Sequence, residues 1–186
     1  LLDVLPPTIQ SIQDGWLRTC QNGTIVSALL TAAAAQLLSF FKSASSFDEG
    51  RNNPNAARTF LLIICYSSLF FNVSASISSF ILIDKLGELP FRASQRGQQT
   101  LPPPQTAMSS TDPDYLLKRY GIGRWWSFLI WHWLFCFVLG IWCIILQLLT
   151  YIWLQETLPI QISMSCLAAF TLLPCGVFLL SNFQPA

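Results

Sequence analysis

Residues 125–154, WWSFLIWHWLFCFVLGIWCIILQLLTYIWL, decide the fold, because no formal charge interrupts the chain between Arg124 and Glu156. As a helix rising about 1.5 Å per residue, this run reaches roughly 45 Å, more than the ~30 Å hydrocarbon core of a bilayer. It reads as a membrane span that tilts or extends into the headgroup layer. Trp125 and Trp126 at one end, and Tyr151 and Trp153 at the other, stand where amphipathic rings anchor at interfaces.

The connection that follows, Gln155-Glu156-Thr157, is long enough only for a tight hairpin, so the next apolar run, residues 158–183, is an antiparallel neighbour without charge. Pro174 removes a backbone hydrogen bond within it. With Gly176 close by, Pro174 is a candidate hinge, and Thr171 is placed to satisfy freed carbonyls.

Upstream, residues 24–41 (TIVSALLTAAAAQLLSFF) and 59–83 (TFLLIICYSSLFFNVSASISSFILI) are two further uncharged runs. In the first, Ser27, Thr31 and Ala35 recur every four residues, a small-residue stripe for close helix packing. In the second, Ser68, Asn72, Ser76 and Ser79 share one face. An amide such as Asn72 needs a partner in hydrocarbon, either on another helix or in water lining a path. Asn53-Pro54 suits the start of this helix, Asn as cap and Pro in the first turn. Asn22-Gly23-Thr24 and Asn72-Val73-Ser74 match the glycosylation pattern but lie at or inside the bilayer.

Composition agrees with a polytopic membrane protein: 53% of residues are hydrophobic and 10% charged, against about a quarter charged in soluble domains. Ten Lys and Arg balance nine acids, so no concentrated basic face is available and nucleic acid is excluded as a partner. The six cysteines form no CxxC pair or zinc-type cluster and read as small buried side chains. Cys136 and Cys143, seven residues apart on one helix, are about 10 Å apart by helical rise, too far for a disulfide.

Four segments result. Residues 1–19 form an N-terminal arm in which Ile9, Ile12 and Trp16 lie opposite Gln10, Gln13 and Asp14, as in a short surface helix. Residues 20–83 form the first hairpin of spans. Residues 84–124 form a polar loop, extended around Pro102, Pro103 and Pro104 and ending in an interfacial helix after Asp112. Residues 125–186 form the second hairpin. The expected fold is all-α, a polytopic membrane protein with four transmembrane helices plus short interfacial helices. With four spans, Arg18 and six basic residues of the central loop share one side, against Lys42, Arg51 and Arg58 on the other, which places both termini in the cytosol.

No span contains an acid, a lysine or a convergent nucleophile and base, so an enzyme is not expected. The single histidine heads a stripe of small and polar residues, His132, Cys136, Gly140, Cys143, Gln147 and Tyr151. Two readings of it stay open. In one, Gly140 is a close-approach point, with Gln147 and His132 donating hydrogen bonds across a helix contact. In the other, the stripe meets Ser68, Asn72, Ser76 and Ser79 around water, with His132 able to titrate.

The DGWL entry (Asp14 to Leu17), the span SALLTAAAAQLL (Ser27 to Leu38) and the Ser-rich YSSLFFNVSASISSF (Tyr66 to Phe80) resemble multi-span membrane proteins abundant in mushroom-forming fungi. The resemblance implies a fungal membrane protein and carries over no site residues. The expected function is a homo-oligomeric structural or pore-forming channel assembly, the alternative an accessory subunit or membrane anchor of a larger complex. A lipid-handling protein or enzyme ranks third. The partners are the lipid bilayer and copies of the chain or other membrane subunits. No cofactor is expected beyond a bound lipid or sterol.

Overall fold

The computed structural model describes residues 7–43, 55–91 and 125–182. They form α1 (Pro7–Lys42), α2 (Asn55–Gly87), α3 (Trp126–Gln155) and α4 (Leu158–Asn182). Three helices, spanning Gln10–Lys42, Ala56–Phe91 and Trp126–Gln155, are long and apolar enough to cross a membrane. Among the described residues of α4, Leu158–Pro174 is a shorter apolar helix. The interfacial helix expected after Asp112, the proline run, and the Asn53-Pro54 cap lie outside the described residues.

The first helix departs from expectation. Residues 7–42 form one continuous helix rather than a surface helix followed by a span. Pro7 tolerates the first turn, where an N–H would lack an intrahelical partner anyway. Gln13, expected on the polar side, is buried and donates from Nε2 to the Leu86 carbonyl at 2.6 Å. That carbonyl belongs to the last turn of α2, whose C=O groups have no acceptor role within the helix, so a side chain from α1 caps the end of α2.

A seven-residue repeat organises burial on every long helix. On α1 the buried positions include Gln13, Cys20, Ser27, Ala34 and Phe41, seven apart. On α2 they include Leu61, Cys65, Ser68, Asn72, Ala75, Ser79, Leu82 and Leu86, alternating steps of four and three. On α3, Trp126, Trp133, Gly140 and Gln147 are again seven apart. This spacing keeps one face turned to its neighbours along a helix, as in coiled coils. It also corrects the stripes read at four-residue spacing. Ala35 is exposed and Thr31 half-buried, the buried Ala34 standing in their place. On α2, Ser76 is half-buried while Ala75 is fully buried, because at 100° per residue Ser76 swings about 80° from Ser68 and Ala75 only about 20°.

The described chain divides into two compact units, Leu1–Ala28 with Ser74–Phe135, and Leu29–Val73 with Cys136–Ala186. In the first, the rings of Trp16 and Trp126 meet edge to face at 6.3 Å, and Trp133 closes over Gly23. In the second, Phe41, Leu61 and Cys65 form a core with Leu37, Leu38, Leu62 and Tyr151 packed against it. Tyr151, expected at an interface, instead stacks on Phe40 and Phe41 at 5.6 and 5.2 Å. Trp125 is 74% exposed, as an anchor would be, but Trp126 is only 3% exposed and belongs to the packing.

The α3–α4 turn is closed by one side chain. Gln161 Nε2 donates to the carbonyls of Trp153 at 3.1 Å and Glu156 at 2.8 Å, acceptors that the end of α3 leaves over. Beyond it, Ser165, Ala168 and Leu172 are half-buried, while Leu158, Ile162, Leu167, Phe170 and Leu173 are exposed. Helix α4 runs through Pro174 without a break. Thr171 donates to Ala168 at 2.8 Å, not to the Phe170 carbonyl that Pro174 releases four residues back.

Candidate functional site

The candidate site is the polar cluster where α2 meets α3 in the second unit. Asn72 is fully buried and donates from Nδ2 to the Ser68 carbonyl, one turn back, at 2.8 Å. That bond fixes the plane of its amide. Ser68 Oγ approaches the Gly140 carbonyl at 3.5 Å, a long contact. Gly140 faces the Asn72 amide so closely that a Cβ there would lie 2.7 Å from Nδ2 and 2.8 Å from both Cγ and Oδ1. Asn72 occupies the space that a side chain at position 140 would take. Glycine is needed here for close approach and not for its backbone freedom.

Gln147 lies two turns further along α3, on the same seven-residue stripe as Gly140. It is fully buried, and among the described residues neither Nε2 nor Oε1 has a hydrogen-bond partner. An amide in that position forgoes bonds it would make with water. Cys136 is buried and Cys143 half-buried. Cys65 Sγ points to the Ala34 carbonyl at 3.7 Å, which ties α2 to α1 in this unit.

The first unit holds the other half of the expected site residues. His132 Nδ1 and Ser78 Oγ share a hydrogen bond of 3.0 Å, and the His132 ring stacks at a tilt on Phe128 at 6.1 Å. Ser79 is fully buried and its hydroxyl has no partner among the described residues. Trp133, 6% exposed, lies on the buried face of α3. Its ring sits where Gly23 lacks a side chain, a Cβ there falling 2.6 Å from Trp133 Cζ2. Gly23 thus belongs to a helix contact, and Asn22-Gly23-Thr24 is helical throughout, with Thr24 donating to the Cys20 carbonyl at 2.9 Å.

The expected residues therefore do not converge on one point. Ser68, Asn72, Cys136, Gly140 and Gln147 are turned inward, Ser76 and Cys143 lie at the margin, and His132 pairs with Ser78. The missed contributors are Trp126, Trp133 and Gly23. The signal for the two tryptophans was the spacing of 126, 133, 140 and 147 on α3. Among the described residues no three of His, Cys, Asp or Glu come together as a metal site. Cys166, expected to be buried, is exposed, while Cys20, Cys65 and Cys136 are buried and all are free thiols. An open apolar groove of 150 Å³ runs between α3 and α4, bordered by Ile145, Leu149, Ile152, Met164 and Leu167.

Compared with known protein families, with curated proteins and with solved structures, the chain matches none of them.

Proposed function

We propose that the protein is a structural, self-associating integral membrane protein without enzymatic activity, its four helices crossing the bilayer and both termini in the cytosol. The observation that carries this reading is the use of polarity. Ser68, Asn72 and Gly140 are spent on a helix contact inside the second unit, and the large exposed side chains of α4 are hydrocarbon. A surface of that kind has lipid or another helix as its partner, and offers no cluster of reactive groups. The groove between α3 and α4 suits an acyl chain or a sterol edge.

The test is the mass of the protein in lipid nanodiscs. Self-association predicts a defined multiple of the chain. A monomer at every protein-to-lipid ratio overturns it, and a stoichiometric second protein on a single copy replaces it with an accessory role. Protease access to the 84–124 loop from the cytosolic side only is the expected orientation result.

A pore reading draws on one observation, the buried Gln147 amide with no protein partner, since water would satisfy it. Solute flux through liposomes that falls in both Asn72→Leu and Gln147→Leu supports the pore. Equal flux in both removes it.

A further inference from the structure

Arg18 is the last charged residue before Lys42, 24 residues further along α1. By helical rise the two lie about 36 Å apart, somewhat more than the ~30 Å hydrocarbon core, so an α1 that crosses the bilayer sets each of them in a headgroup layer. In the layer that holds Arg18, an open notch of 440 Å³ is bordered by Gln10, Ser11, Asp14, Gly15 and Arg18. Gly15 opens onto it, since a Cβ there would meet nothing within 4 Å. Asp14 stands one turn before Arg18, the order in which opposite charges pair best along a helix. They do not pair: among the described residues neither makes an ion pair or a side-chain hydrogen bond. Lys85 and Glu88, at a similar spacing on α2, do close on each other, at 3.2 Å. A carboxylate and a guanidinium thus border one notch with their bonding capacity unspent.

We infer that this notch holds the headgroup of an ethanolamine phospholipid, its phosphate on Arg18 and its ammonium on Asp14. The inference needs only that α1 crosses the bilayer and is independent of self-association. The phosphate of a phospholipid is esterified to its glycerol, so it lies nearer the hydrocarbon than the amine beyond it. Arg18 lies nearer the hydrocarbon than Asp14 by about 6 Å, so the charges along α1 run in the complementary order. The planar guanidinium fork matches two phosphate oxygens. A primary ammonium carries three N–H donors: Asp14 accepts from one, and Gln10 Oε1 and Ser11 Oγ, on the same border, are acceptors for the others. A choline headgroup has methyl groups in place of those donors and gives Asp14 a charge without a hydrogen bond. A glycerol headgroup brings no cation at all and leaves the negative phosphate uncompensated against the Asp14 carboxylate.

The test is a titration of the full chain in detergent with ethanolamine, choline and glycerol phospholipids of identical acyl chains, the intact protein being weighed with its bound lipid. The ethanolamine lipid is expected to bind about ten-fold more tightly than the choline lipid, the equivalent of one charge-assisted hydrogen bond. Asp14→Asn should bring those two lipids level, and Arg18→Gln should weaken both by about ten-fold. Gly15→Leu, which fills the notch without changing charge, should release the ethanolamine lipid. Asp14, Gly15 and Arg18 are exposed, so the thermal midpoint of each variant should not fall below that of the parent, which separates a lost site from a lost fold. Equal binding of the three lipids by the parent chain overturns the inference. Tightest binding of the glycerol lipid overturns it as well, since Arg18 would then act without Asp14. An ethanolamine preference that persists in both Asp14→Asn and Gly15→Leu removes it from this notch.

Discussion

Each unit contains a glycine whose missing side chain is replaced by a group from another helix, and the two replacements differ in kind. At Gly23 the group is the Trp133 ring, at Gly140 the Asn72 amide. Both let helices approach closely in a solvent that gives apolar groups no drive to leave it. The ring contributes many dispersion contacts and most of it requires no bond. The amide contributes a smaller area and a strict requirement for hydrogen bonds, which Asn72 meets in part through Ser68. Close approach by polar groups therefore depends on neighbours in a way that close approach by aromatic bulk does not.

The largest expected effect tests the aromatic side of that difference. Trp133→Ala should cost about 3 kcal/mol or more, the range for emptying a buried aromatic site, read as a drop in the denaturation midpoint in detergent. Gly140→Ala comes next, at about 1–3 kcal/mol, because the added methyl must displace a buried amide. Here a double substitution is decisive. Asn72→Ala should recover much of the loss at Gly140→Ala, so that the pair is less damaged than the sum of its members. Additive losses would show that the amide and the glycine do not share one space.

Gln147→Met should raise stability by about 1 kcal/mol, since a thioether of similar length replaces an amide that has no protein partner. A lower midpoint in that variant would mean that the amide is hydrated or bonded and contributes to folding. The smallest effect is expected at Gly15, where a Cβ would meet nothing within 4 Å. Gly15→Ala should stabilise α1 by about 0.5–1 kcal/mol through backbone entropy alone. A loss there would indicate a contact on the Asp14 and Arg18 side of the helix.

The helices were legible because charge-free runs of this length have few alternatives in lipid, whereas Asn72 donates to the Ser68 carbonyl of its own helix, a partner that neither expected reading named. The register of packing was not legible either. Steps of four residues and a seven-residue repeat share some positions and diverge at others, so the buried residues are Ala34 and Ala75 where four-residue steps point to Ala35 and Ser76. Trp126 misled for a different reason. Tryptophan serves both as an interfacial anchor and as core filling, and the pair Trp125 and Trp126 divides between the two roles within one peptide bond. Gly23 sat inside a motif with another meaning. Only the ring placed over it shows what it is for.

The Gln161 clamp bears on the order in which the chain folds. Its two bonds join residues eight and five apart, so closing the α3–α4 turn costs little chain entropy and draws on nothing made earlier. With Trp153 Nε1 donating to Ser165 Oγ at 3.1 Å across the same hairpin, the C-terminal pair can form as a unit as soon as both helices are synthesised. Between α1 and α2, among the described residues, the hydrogen bonds Gln13 to Leu86 and Cys65 to Ala34 span 73 and 31 residues. The α3–α4 hairpin is therefore closed by its nearest neighbours.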